Sequence, residues 1–371
     1  MDAVAIGELP AMDVAGRIDR LRALFDDAEI DALIVTNLRN VRYLTGFTGT
    51  AGHLVVTADD ALLVTDERYG TQADEQLQAS GVPARAEITT TGQREVTTAA
   101  LVDCARIGLE AASITWARQR ELAREWFPDA QLVPTDALVE RLRLVKDAGE
   151  VARIELAATI ADAALDAIRE RLLDGPTEAE LALELDTEMR RRGASERSFE
   201  TIVASGPNGA KPHARPGTRR IRRGDLVVID FGAMVDGYRS DMTRTLMVGE
   251  PSEQQRRLLD VVTAAQAAGV AAVGPDVAAR EVDAACREVI ATAGWGDWFV
   301  HGTGHGVGLD IHEAPWVNAR SAATLAAGHV VTVEPGVYLP EVGGVRVEDT
   351  VVVTEEGNRP LTRAPKDPIV A

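Results

Sequence analysis

The chain is short of cysteine, of basic residues and of long apolar runs, and each shortage removes a class of protein. Two cysteines, Cys104 and Cys286, stand far apart in 371 residues, so no disulfide framework is indicated. Both read as small buried apolar residues, Cys104 in LVDCARIGL and Cys286 in a helical AACREV stretch. Basic residues number 39 against 58 acidic, a net charge of -19. That sign argues against nucleic acid and anionic membranes as partners, since both need a basic face. No run approaches the ~18 apolar residues of a membrane span. The opening MDAVAIGELPAMD has no basic segment followed by a long apolar one, so no signal peptide is expected and the cytoplasm is the expected location.

The bulk composition is that of a globular protein. Hydrophobic residues make up 46% and charged residues 26%, enough for a sizeable core, and the length favours two domains. From about Ala15 to Ala137 the pattern alternates. AGRIDRLRALFDDAEI has helical spacing, and DALIVTN is a short strand. HLVVTADDALLVTDERY reads as two strands joined at Asp59-Asp60, ARIGLE as another strand and TWARQRELAREWF as a helix. RLRLVKDAGEVARIELAATIADAALDAIRERL then reads as one long amphipathic helical stretch. The boundary is expected between Val139 and Lys146, giving domains 1–140 and 141–371. No Pro/Gly/Ser-rich linker separates them.

The second domain contains an internal repeat. A helix ends near Gly193; then come HARP (His213 to Pro216), GDLVVID (Gly224 to Asp230) and SDMTRT. A second helix ends near Gly294; then come HEAP (His312 to Pro315), GHVVTVE (Gly328 to Glu334) and VEDTVVV. In each half an acid follows its glycine by six positions. The pattern predicts a duplicated α/β unit whose halves face each other across a pseudo-two-fold axis. A site at that axis would draw matching acids from both.

Asp236-Gly237 is a strong two-residue hairpin signal. With those residues as the turn, Asp230 falls opposite Thr243 and Asp241 opposite Gly232. Side chains alternate along a strand, so Asp230 and Asp241 become diagonal neighbours on one face, with Cα atoms ~7–8 Å apart. Val, Ile, Leu and Met flank both acids, which suggests burial. Two buried carboxylates that close need a cation or a proton. The second hairpin, VVTVEPGVYLPEVGGVRVEDTVVV, turns within Pro340 to Gly344 and sets Glu334 roughly opposite Glu348.

Of six histidines, three (His301, His305 and His312) fall in HGTGHGVGLDIHEAP, whose glycines let the backbone approach something closely. His53 and His329 carry no such context. Four carboxylates with one imidazole suit a hard or borderline divalent ion such as Mn²⁺, Co²⁺, Fe²⁺ or Zn²⁺. A metal pair ~3.5–4 Å apart activates water and stabilises a tetrahedral intermediate.

Five segments, NGAKPH, IDFGAMVDGYRSDMTRT, HGTGHGVGLDIHEAP, VTVEPGVY and GGVRVEDT, closely resemble the motifs of the pita-bread metallopeptidases. That group includes methionine aminopeptidase, aminopeptidase P and prolidase. NLRNVRYLTGFTG (Asn37 to Gly49) resembles the creatinase-type N-terminal domain, and the closing APKD (Ala364 to Asp367) is also similar to that branch. The resemblance implies an α/β creatinase-type domain followed by an α+β pita-bread catalytic domain. It implies two divalent metals, Mn²⁺ foremost, on Asp230, Asp241, His305, Glu334 and Glu348, with Asp241 and Glu348 bridging. A metal-bridging hydroxide would attack the scissile carbonyl, and Glu334 would shuttle the proton. His213 and His312 would contact the substrate carbonyl or oxyanion. His301 and Arg346 would line the pocket on the proline side, and Arg346 would also brace the carboxylates.

The implied activity is an Xaa-Pro peptidase, acting on peptides with a penultimate proline, with a slight preference for aminopeptidase P over prolidase. A homodimer is implied as well. Two other readings compete: a metal-dependent hydrolase of small C–N substrates on the same fold, and a non-enzymatic binding protein. The full set of five ligands weighs against the latter, and against creatinase, which lacks the metals.

Overall fold

In the computed structural model the described residues are 9–371; the opening eight residues, including most of the segment read for a signal peptide, lie outside them. They divide into two compact units, Met12–Arg143 and Leu144–Ala371, with residues 9–11 belonging to the second. No helix among the described residues is long and apolar enough to cross a membrane.

The N-terminal unit is a six-stranded mixed sheet. Its order is Arg85–Ile88, Ala61–Thr65, His53–Thr57, Ala32–Val35, Arg106–Glu110, Gln131–Thr135. The two strands read from HLVVTADDALLVT pair antiparallel, Val56 opposite Ala61. Leu38–Thr45, within NLRNVRYLTGFTG, is a helix capped by the Asn37 side chain and closed by Gly46 at φ 77°. The expected first helix is shorter than its pattern: only Arg17–Arg22 is helical. Beyond it Leu24 and Phe25 bond back three residues, a tighter turn, and Glu29 takes φ 53°. Asp26 and Asp27 are poor helix formers there. Cys286 is buried as expected, but Cys104 is only half-buried: it packs against the N-terminal core from the segment between a helix end and the Arg106–Glu110 strand.

The expected long helical stretch is two helices, Leu138–Arg143 and Ala148–Ile168. Asp147 ends the gap between them. Its side chain accepts from the Glu150 N–H and the Glu150 carboxylate accepts from the Asp147 N–H, a closed capping box that restarts the helix. Apolar periodicity ran through the break, and the capping pair decided it.

In the C-terminal unit the repeat is visible element by element. The first half has helices Ala148–Ile168 and Glu178–Arg191, then strands Ile202–Ser205, Leu226–Phe231 and Met242–Val248. The second has helices Glu253–Ala272 and Ala279–Thr292, then strands Gly304–Gly306, Val330–Val333 and Asp349–Thr354. In each half the three strands lie adjacent in chain order and antiparallel. Each helix pair covers one apolar sheet face, giving two cores, one around Ile160, Leu185 and Ile229, the other around Val262, Cys286 and Val333.

Registers follow the hairpin reading. Thr243 lies opposite Asp230. Asp236 and Gly237 both have positive φ, 45° and 76°, as a type I′ turn requires. The second hairpin pairs Leu339 with Gly343 and Val333 with Asp349, a register that sets Glu334 opposite Glu348. The repeat is therefore offset: the acid opposite Glu334 is Glu348, whereas Asp230 faces a threonine.

The glycines of HGTGHGVG meet their own protein. A Cβ on Gly304 would lie 2.0 Å from the Thr332 carbonyl oxygen, and one on Gly306 would lie 2.2 Å from that of Ala314. Gly304→Ala should therefore force the Gly304–Gly306 strand off its neighbour. Overpacking of this kind costs about 1–3 kcal/mol or more. The expected result is a lower urea midpoint with an unchanged slope; a midpoint equal to that of the unsubstituted protein would show that the strands can part freely.

Candidate metal centre

The two acid-bearing hairpins converge on one cavity of about 310 Å³. Every residue singled out from the sequence lines it: Asp230, Asp241, His305, Glu334 and Glu348, together with His213, His301, His312 and Arg346. Phe199, Ile202, Ile311 and Trp316 supply its apolar wall.

Carboxylate oxygens of Asp230, Asp241 and Glu348 lie within 4.8 Å of one another. Asp241 and Glu348 are buried, 4% and 2% exposed, which removes the reading of a wet surface face. A second group adjoins the first through Asp241. His305 Nε2 stands 3.6 Å from Asp241 Oδ2 and 3.4 Å from Glu334 Oε1. His305 Nδ1 lies 3.0 Å from the Gly306 carbonyl oxygen. A carbonyl can only accept, so Nδ1 carries the proton and Nε2 presents its lone pair to the two carboxylates. Burial pushes the His305 pKa down to about 4, keeping the ring neutral near pH 7.

A lone pair facing carboxylate oxygens is repulsive without a cation between them. The same holds inside the first group. Asp230 Oδ1 and Glu348 Oε1 are buried with no hydrogen-bond partner, although buried polar atoms are nearly always paired. Burial, then the neighbouring Glu348, Asp230 and Glu334 carboxylates, drive the Asp241 pKa well up. Burial and the nearby Glu334 and Asp230 do the same to Glu348. Burial is the main reason Glu334 rises to about 8. An oxygen-rich donor set with one imidazole, carrying orphaned buried oxygens, fits divalent cations.

Contacts across the halves hold this arrangement. Thr243 Oγ1 donates to Glu348 Oε2 at 2.7 Å, and Arg346 donates to Asp230 Oδ2 at 2.7 Å. The Arg346 guanidinium also reaches Thr243 Oγ1, Tyr338 Oη and the Pro212 carbonyl. Four of its five N–H donors thus bond protein, as a bracing role requires. Tyr338 Oη lies 2.8 Å from both Arg346 and His301 Nε2. His301 Nδ1 lies 2.8 Å from the Gly302 carbonyl, so both its nitrogens are engaged and its ring serves as wall. His213 and His312 are exposed on the cavity surface, and the His312 ring lies 4.3 Å from that of His305.

Behind the acids, Arg244 donates to the Glu348 carbonyl at 2.5 Å and to Asp349 at 2.8 Å. Lys366, within APKD, pairs with Asp349 at 2.6 Å. The familiar closing motif thereby ties the chain end to the strand that follows Glu348. His53 and His329, left without a role, lie away from the cavity, His53 bonding Thr97 and His329 accepting from the Ala326 N–H.

Sequence reasoning passed over Thr243, Thr332 and Tyr338. The first was in view, because the expected register already set it opposite Asp230. Thr332 Oγ1 accepts from the His305 N–H and donates to Glu334. Tyr338 is a diagonal neighbour of Arg346 in the second hairpin, where Gly336 pairs with Arg346.

This geometry, a duplicated sheet with a buried acidic cluster and one imidazole, is that of a two-metal hydrolase. The chain belongs to metallopeptidase family M24, whose profile matches residues 152–355. The creatinase/prolidase N-terminal domain matches residues 17–145. Among curated relatives, an uncharacterized peptidase of Bacillus subtilis is 44% identical, over 95% of this chain and 99% of its own. The Xaa-Pro dipeptidase of Pyrococcus furiosus is 36% identical, again over 95% and 99%. Among solved structures, the Xaa-Pro dipeptidase from Bacillus anthracis superposes with a TM-score of 0.93 at 40% identity, covering 96% of this chain and all of that one.

Proposed function

We propose that this protein is a dinuclear metallo-exopeptidase that hydrolyses the bond between an N-terminal residue and a penultimate proline, with Xaa-Pro dipeptides among its substrates. One observation carries the reading: the His305 lone pair and the orphaned Asp230 and Glu348 oxygens all face one acidic pocket. The dipeptidase names of the relatives shift the balance from aminopeptidase P, preferred on sequence, to the prolidase type. A prolyl bond has no N–H and a fixed φ, so a dedicated pocket is required where a strand-binding peptidase would fail.

Asp230, Asp241 and Glu348 would hold one ion, and Asp241, Glu348, His305 and Glu334 the other, with Mn²⁺ the metal we favour. Such a pair supplies Lewis acidity and a water acidic enough to attack near neutral pH. The chain's own groups do the rest. Glu334 takes the proton of the attacking water and passes it to the proline nitrogen as the bond breaks. His213 and His312, which line the cavity, bind the carbonyl oxygen as it gains charge. Arg346 holds Asp230 in place, and Thr243 holds Glu348. The apolar wall excludes water from the proline side. Composition supports a cytoplasmic setting, and the family resemblance supports a homodimer.

The test is metal analysis of the purified protein combined with a panel of Xaa-Pro and Xaa-Ala peptides, with and without Mn²⁺. Two equivalents of metal and metal-dependent release of the residue before proline are expected. A protein that binds no metal, or that cleaves Xaa-Ala as readily as Xaa-Pro, would refute the reading.

A further inference from the structure

Lys146 does not line the catalytic cavity, yet its charge is buried. It sits in the break between helices Leu138–Arg143 and Ala148–Ile168, one residue before the capping box at Asp147. A lysine usually keeps its ammonium in water, but this side chain is 1% exposed. Its Nζ lies 2.7 Å from Glu313 Oε1, and the Glu313 side chain is itself only 9% exposed. Both residues belong to the C-terminal unit. The lysine is anchored on every side. Nζ also donates to the Leu144 carbonyl, the backbone N–H donates to the Gly328 carbonyl, and the Asp147 cap fixes the next residue.

Glu313 follows His312 directly and opens the strand Glu313–Val317. Between His305 and His312 the chain turns, and the Glu313 carboxylate lies against that turn. Its Oε2 faces the Asp310 N–H at 3.4 Å, and a Cβ on Gly308 would lie 2.5 Å from its Oε1. Arg239 bonds the same turn through the Gly308 and Leu309 carbonyls. The His312 side chain stands on the cavity surface, with its ring 4.3 Å from that of His305. Its position therefore follows the backbone that Glu313 fixes.

An ion pair this deeply buried gains little net stability over two apolar side chains of similar size, because both charges must leave water. What it adds is direction, since a charge-assisted bond holds the carboxylate in one place. We propose that Lys146 and Glu313 are positioning residues: the buried pair locks the turn 306–313 and so holds His312 where the substrate carbonyl oxygen gains charge. The inference rests on the oxyanion role given to His312 and deepens it.

The experiment measures Gly-Pro hydrolysis by Mn²⁺-loaded protein, unsubstituted and as Lys146→Arg, His312→Ala, the double variant Lys146→Met with Glu313→Gln, and the triple variant that combines the last two. The double variant strands no buried charge. It should keep the urea midpoint and bound metal of the unsubstituted protein, while kcat falls by up to about a hundredfold, as for a misplaced catalytic group. KM should change little, because the lost interaction is made only in the transition state. Lys146→Arg keeps the cation and should retain part of the rate that the double variant loses. His312→Ala should cost about a hundredfold or more. In the triple variant the further loss should be no more than about twofold, since both changes remove one function. Losses that multiply in the triple variant, or an unchanged kcat in the double variant, would overturn the proposal. So would a double variant that unfolds at lower urea and loses metal, the mark of a purely structural pair. An unsubstituted protein inactive on Gly-Pro, or His312→Ala at full rate, would remove the reading beneath the proposal and the proposal with it.

Discussion

Asp241→Asn and Glu348→Gln should each abolish turnover while leaving the metal-free fold at least as stable as before. Each change keeps the side-chain shape and removes one charge from a buried cluster. Asp241 stands within reach of two groups, the carboxylates of Asp230 and Glu348 and the pair His305–Glu334. Losing its charge weakens both ion positions at once. The drop in kcat/KM should exceed the roughly 10–100-fold that follows loss of a partner outside the ligand set. Stability moves the other way, because burial and like-charged neighbours already disfavour ionised Asp241 and Glu348; an amide relieves that repulsion. Kinetics and bound metal per chain measure the first effect, and urea denaturation in chelator the second. Activity within tenfold of the unsubstituted protein would remove that residue from the ligand set. A variant that is inactive and also unfolds readily in chelator would mark a structural role.

Metal-free protein should lose stability as pH rises from about 6.5 to 8. Glu334 has its pKa raised by burial from 4.5 to about 8 in the folded chain, so across that window the folded state holds a proton the unfolded state has released. Stability then falls with rising pH, since a raised folded pKa contributes most below the unfolded value and is lost through the folded one. Histidines set the lower bound. His301, His305 and His329 have pKa values pushed down by burial to about 4. They make stability rise with pH until the unfolded histidine value near 6.5 is passed, opposing the carboxylates below it. Adding Mn²⁺ should cancel the fall, and its stabilisation should be larger at pH 8 than at 6.5, because ligands must shed protons to bind. At 100 times Kd a ligand adds about 2.7 kcal/mol. Thermal or urea midpoints in chelator and in Mn²⁺ at the two pH values decide the matter. A metal-free midpoint that stays flat or climbs between them would mean the acids are ionised and solvated.

Much of the site was legible because local rules act over short spans. Asp236-Gly237 forces a two-residue turn, and the turn alone sets Thr243 opposite Asp230 and brings Asp241 to the same face. The turn region of the second hairpin put Glu334 only roughly opposite Glu348, and the strand pairing fixed the register. Where a competing local signal was weaker, the reading slipped: apolar periodicity carried a helix through residues 144–147, and a capping box restarted it at Asp147.

The sequence by itself determined which residues could serve as ligands, the register of the first hairpin and the duplication that pairs the halves. Those features arise from turn chemistry, strand alternation and periodic burial, all set by near neighbours. Only the tertiary structure decided that Arg346 grips Asp230, that Thr243 grips Glu348 and that His305 turns its free nitrogen to the acids. The first two contacts join residues 116 and 105 positions apart. At such separations partner choice is made by how two sheets pack, and packing depends on the whole core and not on any local pattern.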